Sequence, residues 1–548
     1  VINNSFFKVK GYMLSKAFIK RGFSTVKLAR DSNQALELGK YAVDFLKNGK
    51  PSPKVIDRVK LFHTDSVICG ISALALKTNA PHVLRNEALE YSKESKSARA
   101  KPGYARVFGS LNSCFVEKAI AANASAVREW DSNGTVFGYN DKIKGHQAGE
   151  FGHNDFYPVV IAACHQNSKI NGAKAAKAMI LVDEIRGRLA EVFSLKTYKI
   201  DHVVHGAIAS AATYGALMGA TPEQIEHAIG MFVAHYIPFR AIRAGKQLSD
   251  SKGASAAIST EAAILCVKRA MHGFIGPKDI FRNPEAIFRL NEKTKGESPF
   301  DIVLSNSGDD FAVMGMHFKL GLYEHQSAGA IDAILNLIYK NNFIQKGKHD
   351  NIEKIKIIAY EPAFGIIGDP AKKTPSTRQS ADHSMVYIIS TLLSKAIHGS
   401  AGLKDSCKDY NEVWKKMILT PEDYGAKALW DETTRALMNK ITFEHGGPEY
   451  DKRYPDGIPT SVQITLKSGE TLDSGLVMYP PGHARNTAAD LKGILHNKFR
   501  VLGSLALEQA ELEQFITRLE NLENLSGAEI QNLYNCNIKY AAKSIDEQ

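Results

Sequence analysis

The run Gly206–Gly219, GAIASAATYGALMG, followed by Thr221-Pro222-Glu223-Gln224, decides the fold. Small residues occupy several faces of the first stretch, as in a helix packed on all sides by other helices. The second is a helix start. Thr221 caps it, Pro222 takes the first helical position, where a missing N–H costs nothing, and Gln224 closes a capping box. Ile225, Ala228, Ile229, Phe232 and Val233 then recur at the spacing of one helical face. The same period runs from Gln34 to about Gly276, which makes this half an all-helical core.

From about Glu285 the pattern changes. Strand alternation is read at Ile355, Ile357 and Ala359 and again at Val462, Ile464 and Leu466, with Ser468-Gly469 as a turn before Thr471-Leu472. Helical segments near Gly329–Tyr339 and Ser384–Ile397 lie between them, so the middle reads as a smaller α/β unit. After Pro480-Pro481-Gly482 the helical period returns, with apolar residues at three- and four-residue spacing from Leu505 to Leu525. These helices either rejoin the first core or form a terminal appendage. A chain of 548 residues exceeds one ordinary domain. The reading is therefore mostly α, with boundaries at 1–30 (a basic leader), 31–284 (helical), 285–480 (α/β) and 481–548 (terminal helices).

Composition narrows the function. At 44% hydrophobic and 23% charged the chain is globular, and no window reaches the roughly 18 consecutive apolar residues of a membrane span. The net charge of +11 does not point to nucleic acid, because Lys8, Lys10, Lys16, Lys20, Arg21, Lys27 and Arg30 supply seven of those charges in an opening that contains no acid. Such a segment, with interspersed Ser, Phe and Leu, is expected to be a mitochondrial transit peptide, and places the protein in the matrix. Cys69, Cys114, Cys164, Cys266, Cys407 and Cys536 are scattered with no CxxC, against a disulfide framework, a zinc site or an iron-sulfur motif.

Three stretches carry candidate chemistry. Between Ala126 and Ala163 polar and Gly-rich residues interrupt two helical segments and bring Asp131, Thr135, His146 and His153 into one loop region, where reactive groups are commonly placed. In YKIDHVVH (198–205), Asp201 precedes His202 at a helix start. His202 and His205 share a face, as helix-end caps or as a metal pair. From Phe239 to Gly253, Arg240, Arg243, Lys246 and Lys252 with interleaved Gly and Ser form either a carboxylate clamp or a solvated basic loop. The aromatic interleaving of a single-strand nucleic-acid surface is missing.

Taken with Lys319 and His325 in HFKLGLYEHQSAGA (317–330) and with Asp382-His383-Ser384-Met385-Val386-Tyr387, these stretches resemble the family of 2-methylcitrate dehydratase and cis-aconitate decarboxylase, the MmgE/PrpD family. The likeness spans Gln34 to Tyr534 and is closer to the dehydratase branch. Asp201 to Val204 meet its Asp-His-Val-Val element, and Arg240, Arg243 and Lys252 its Arg-x-x-Arg with a trailing Lys. Asp382, His383 and Tyr387 meet Asp-His-x-x-x-Tyr, and Tyr479, Pro480, Gly482 and His483 meet Tyr-Pro-x-Gly-His.

The resemblance implies a large helical domain completed by the final helices, a smaller α/β lid, a homodimer, and a cleft between the domains that needs no metal or other cofactor. It implies a small tricarboxylate substrate, with no nucleic-acid or membrane partner, in the methylcitrate cycle of propionate catabolism. Asp131 and His153 are expected in proton transfer, His202 and Tyr387 in orienting or protonating the hydroxyl, and Thr135, Arg240, Arg243, Lys252, Lys319 and His325 in binding substrate. One departure stands out: where the dehydratase pattern has a second acid, this chain has Gly134, and the stretch from Thr135 to His153 is lengthened by a segment with Lys142, Lys144 and His146. A cis-aconitate decarboxylase-like lyase and a non-catalytic scaffold derived from the family are the competing readings.

Overall fold

The computed structural model describes residues 24–92, 102–136, 138, 140, 152–243, 248–341, 343–344, 348–399 and 403–547. The chain is mostly α-helical. Its body is built from α1 (Gln34–Asn48), α2 (Pro53–Ala75), α3 (Asn79–Glu90), α4 (Val116–Arg128), α5 (Tyr157–Gln166), α6 (Gly172–Val192), α7 (Val203–Met218), α8 (Pro222–His235) and α9 (Ser251–Met271). Helix α7 lies at the centre, packed against α1, α5, α6, α8 and α9, and every residue from Val203 to Gly215 is buried. Its small residues are required by that crowding. A Cβ on Gly206 would sit 1.9 Å from the Phe156 ring. Helix α8 starts on the capping box read from sequence, with both halves formed between Thr221 and Gln224, and buries Ile225, Ala228, Ile229, Phe232 and Val233.

The α/β unit is a four-stranded sheet in the order Ile441–His445, Ile352–Ala359, Thr460–Leu466, Thr471–Asp473. Its first pair is parallel and the other two antiparallel. The helix Ala328–Lys340 packs on the Thr460–Leu466 strand and on the helix Met385–Gly399. The turn at Ser468-Gly469 places Gly469 at φ +88°, a conformation that favours glycine.

Two elements differ from the reading of the sequence. Residues 302–319 pack on the helical body, not on the α/β sheet: Ile302–Ser305 pairs antiparallel with Thr25–Leu28, and Phe318 stacks on Phe62 with ring centroids 3.8 Å apart. The loss of helical period near 285 marks a change of local structure, which is not the same as a change of domain. For the same reason Thr25–Leu28, counted with the basic leader, is a strand with Leu28 buried, while residues 1–23 of that leader lie outside the described residues. The terminal helical period divides into Leu491–Gly503 and Gln509–Glu520, and both pack against α2.

All six cysteines are buried free thiols. Among the described residues no single helix is long and apolar enough to cross a membrane.

Candidate active site

The chain leaves α4 through Asp131, whose backbone is left-handed (φ +49°) and whose carboxylate is fully buried. Arg128, one turn earlier, reaches back so that its Nη1 donates to Asp131 Oδ1 at 2.6 Å. Lys319 arrives from the segment that packs under the body and donates to both the Asp131 backbone carbonyl (3.1 Å) and the same Oδ1. On the other oxygen, His383 Nε2 lies 3.1 Å from Oδ2. Burial alone would raise this carboxyl, but the Arg128 and Lys319 charges, with His383 and Lys252 behind them, hold it well below the usual range.

A second buried acid continues the network. Asp382 Oδ1 accepts from His383 Nδ1 at 2.6 Å and from Lys252 Nζ at 2.9 Å, and Lys252, 1% exposed, also donates to the Gln379 carbonyl at 3.3 Å. Burial and the Lys252 charge depress the His383 imidazole to about 4, so it is neutral at physiological pH. Asp131, Asp382 and His383 bring ligand atoms within 4.8 Å of one another. Arg128, Lys319 and Lys252 already lie on those oxygens, so a divalent ion would have to displace a lysine to bind there.

Of the other residues singled out from sequence, His202 lies buried at the start of α7 with Nδ1 3.6 Å from Asp201 Oδ1. Arg243 is turned toward the same acid, with Nε 2.5 Å and Nη2 3.2 Å from its two oxygens. Burial holds His202 neutral, and it feels the charge of Arg128, which ties this group to the Asp131 cluster. Arg240 is half-buried beside it. Thr135 pairs through its backbone with His317 and His153, and its buried hydroxyl has no hydrogen-bond partner among the described residues. His325 stacks on His317 at 5.0 Å, and His317 packs against His483 at 4.2 Å.

Tyr387 is not brought to this cluster: its hydroxyl donates to the Asp423 carbonyl at 2.8 Å, inside the α/β unit. The side chain of His153 lies outside the described residues, as do Lys142, Lys144, His146 and Lys246.

The structure explains Gly134. A Cβ there would meet the Phe62 ring at 2.4 Å, and that ring is stacked on Phe318, with the guanidinium of Arg58 packed against both rings. An aromatic pair therefore occupies the space a second acid would need. Gly134→Asp is expected to destabilise the protein by about 2 kcal/mol or more, since it overpacks a filled site and buries a charge. Adding Phe62→Ala should recover part of that loss. Chemical denaturation of both variants is the check, and a Gly134→Asp protein as stable as wild type contradicts this packing.

Sequence reasoning missed four participants. Arg128 was signalled by a base one helical turn before Asp131, and Glu324 by its place between Lys319 and the helix that follows. Lys498 sits on the buried stripe Ile494, Leu495, Phe499, Leu502, where a charge is out of place. Its Nζ is 2.6 Å from Asp65 Oδ1 and donates to the carbonyls of Ser132 (2.7 Å) and Lys319 (2.8 Å). Asp65 itself lies buried in the middle of α2.

Comparison with known proteins places these features in context. The MmgE/PrpD N-terminal domain model matches residues 37–296 and the MmgE/PrpD C-terminal domain model residues 323–524. The 2-methylcitrate dehydratase of Escherichia coli (strain K12) is 24% identical over 355 residues, 62% of this chain and 67% of that protein. That of Salmonella typhi is 24% identical over 502 residues, 87% of this chain and 90% of that protein. A mitochondrial 2-methylcitrate dehydratase of Yarrowia lipolytica is 27% identical over 321 residues, 56% of this chain and 54% of that protein.

Proposed function

From a chain that belongs to the MmgE/PrpD family, we propose a hydro-lyase that dehydrates 2-methylcitrate to 2-methyl-cis-aconitate in propionate catabolism, acting as a homodimer in the mitochondrial matrix. The observation that carries the substrate class is a surplus of cations at the site, supplied by half-buried side chains beside the buried ion pairs. Arg128, Lys252 and Lys319 surround Asp131 and Asp382, with Arg240 and half-buried Lys372 nearby, a field that attracts a polycarboxylate. The names of the relatives support dehydration as the reaction and 2-methylcitrate as the substrate. The acid-free basic leader and the mitochondrial relative support the compartment.

In this reading Lys252, Lys319 and Arg240 hold substrate carboxylates and stabilise the charge that grows as the C–H proton leaves. Arg243, engaged by Asp201, acts from behind His202. Asp131, with one oxygen taken up by Arg128 and Lys319, serves to fix Lys319. His202, kept neutral by burial and backed by Asp201, is the proton acceptor.

The test is to incubate purified, chelator-treated protein with 2-methylcitrate, citrate and cis-aconitate and to identify the products by mass. Loss of water from 2-methylcitrate is the expected result. Release of carbon dioxide from cis-aconitate without dehydration would move the chain to the decarboxylase reading. Thermal stabilisation by the acids with no turnover would mark a scaffold.

A further inference from the structure

We propose that Glu324 holds the transferable proton of this site and delivers it to the departing hydroxyl; the proposal rests on the dehydration reading above. Glu324 follows Lys319 by five residues and caps the turn His325–Ser327, where its Oε2 accepts from the Gln326 backbone N–H at 2.8 Å. Its own N–H donates to the Asp382 carbonyl at 2.9 Å, so its backbone is fixed to the same segment that carries Asp382 and His383. Unlike Asp131 and Asp382, it has no cation within ion-pair distance, and Oε1 makes no hydrogen bond among the described residues.

The groups whose charge it feels are Asp131, Lys319 and Lys372, and it in turn acts on the phenol of Tyr360. Tyr360's buried hydroxyl has no hydrogen-bond partner among the described residues. Burial first, and then the negative charge of Asp131, push the Glu324 carboxyl up to about 7. One carboxyl is thus held ionised while its neighbour keeps its proton on about half of the molecules at neutral pH, a division of labour suited to acid–base chemistry there.

Glu324 gives its proton to the leaving hydroxyl, the C–O bond breaks with its electron pair on oxygen, and water departs. The base takes the C–H proton, and the electrons of that bond become the new C=C. Glu324 is left as a carboxylate and is reprotonated from solvent as the base releases its proton.

The experiment uses the full chain and the isosteric Glu324→Gln, with Glu324→Asp as a second variant that keeps a carboxyl. We expect Glu324→Gln to lose about a hundredfold or more in kcat with its thermal midpoint near wild type, and Glu324→Asp to recover part of that activity. Wild-type kcat should fall as pH rises through about 7, where the carboxyl loses its proton. The unliganded protein should show at neutral pH a carboxylic-acid infrared band that Glu324→Gln lacks. A folded Glu324→Gln protein with kcat within tenfold of wild type overturns the proposal, as does the absence of that band. If the wild type dehydrates none of the acids, the substrate reading falls and the band alone decides. Its presence upholds Glu324 as the proton holder, and its absence overturns it.

Discussion

Lys498→Ala should lower the free energy of unfolding by about 3 to 5 kcal/mol, the cost of removing one partner of a buried ion pair. The ammonium is fully buried and all of its donors are used, on Asp65, on the Ser132 carbonyl and on the Lys319 carbonyl. Without it, Asp65 is a buried charge with no counter-ion and two carbonyls lose their donor. The loss should also depend on pH. Burial already raises the Asp65 carboxyl against the pull of Lys498, and removing the lysine raises it further. A carboxyl whose folded-state pKa is raised weakens the fold as pH climbs through its unfolded value toward the folded one, so the deficit of Lys498→Ala should shrink in acid. Because Ser132 and Lys319 flank the cluster, activity should fall in whatever remains folded. Denaturant unfolding at neutral and acidic pH is the measurement. A change below about 1 kcal/mol, or one insensitive to pH, contradicts the role given to this residue.

Lys252→Ala should reduce kcat/KM by roughly thirty- to a thousandfold, the equivalent of about 2 to 4 kcal/mol of transition-state stabilisation in a dry site. From the sequence alone the same variant is expected to keep wild-type stability, because a lysine ending a basic loop has nothing to hold up. The structure reverses that part. Lys252 is the counter-ion of buried Asp382 and bonds the Gln379 carbonyl, so its loss should also cost about 3 kcal/mol of stability. Lys246→Ala is the control and should change little. Kinetics at low temperature, together with a denaturation curve, separate the two effects. Intact turnover would remove Lys252 from the site. An unchanged unfolding midpoint would mean that the ammonium faces substrate and not Asp382.

The helical core was readable because its signals are local. The capping box at Thr221 and the face from Ile225 to Val233 depend on residues three and four apart, and the structure keeps both. The strands at Ile355–Ala359 and Val462–Leu466 were readable for the same reason, through alternation. Where each piece goes was not local. The segment near Phe318 lost its helical period, but only the fit of Phe318 on Phe62 decides that it joins the body.

At the site, the residue types in the loops and the basic run were legible, and so was their likeness to a family. Their pairing was not. Asp131 meets Lys319 across 188 residues of chain, and Lys498 reaches Ser132 across 366. Tyr387, sharing a motif with His383, turns away to the Asp423 carbonyl because a helix sends residues four apart along its own length, not to a chosen target.

The amino-acid sequence by itself determined the helices of the core and the strands of the α/β unit, that the chain is mostly α, and which kinds of charged residue are on hand. Only the tertiary structure decided their state. Whether a carboxyl is ionised depends on how much water burial removes and which charges replace it, and both come from distant segments packed together. Asp131 is held ionised by Arg128 and Lys319, and Glu324, with burial and no cation beside it, is pushed up to about 7.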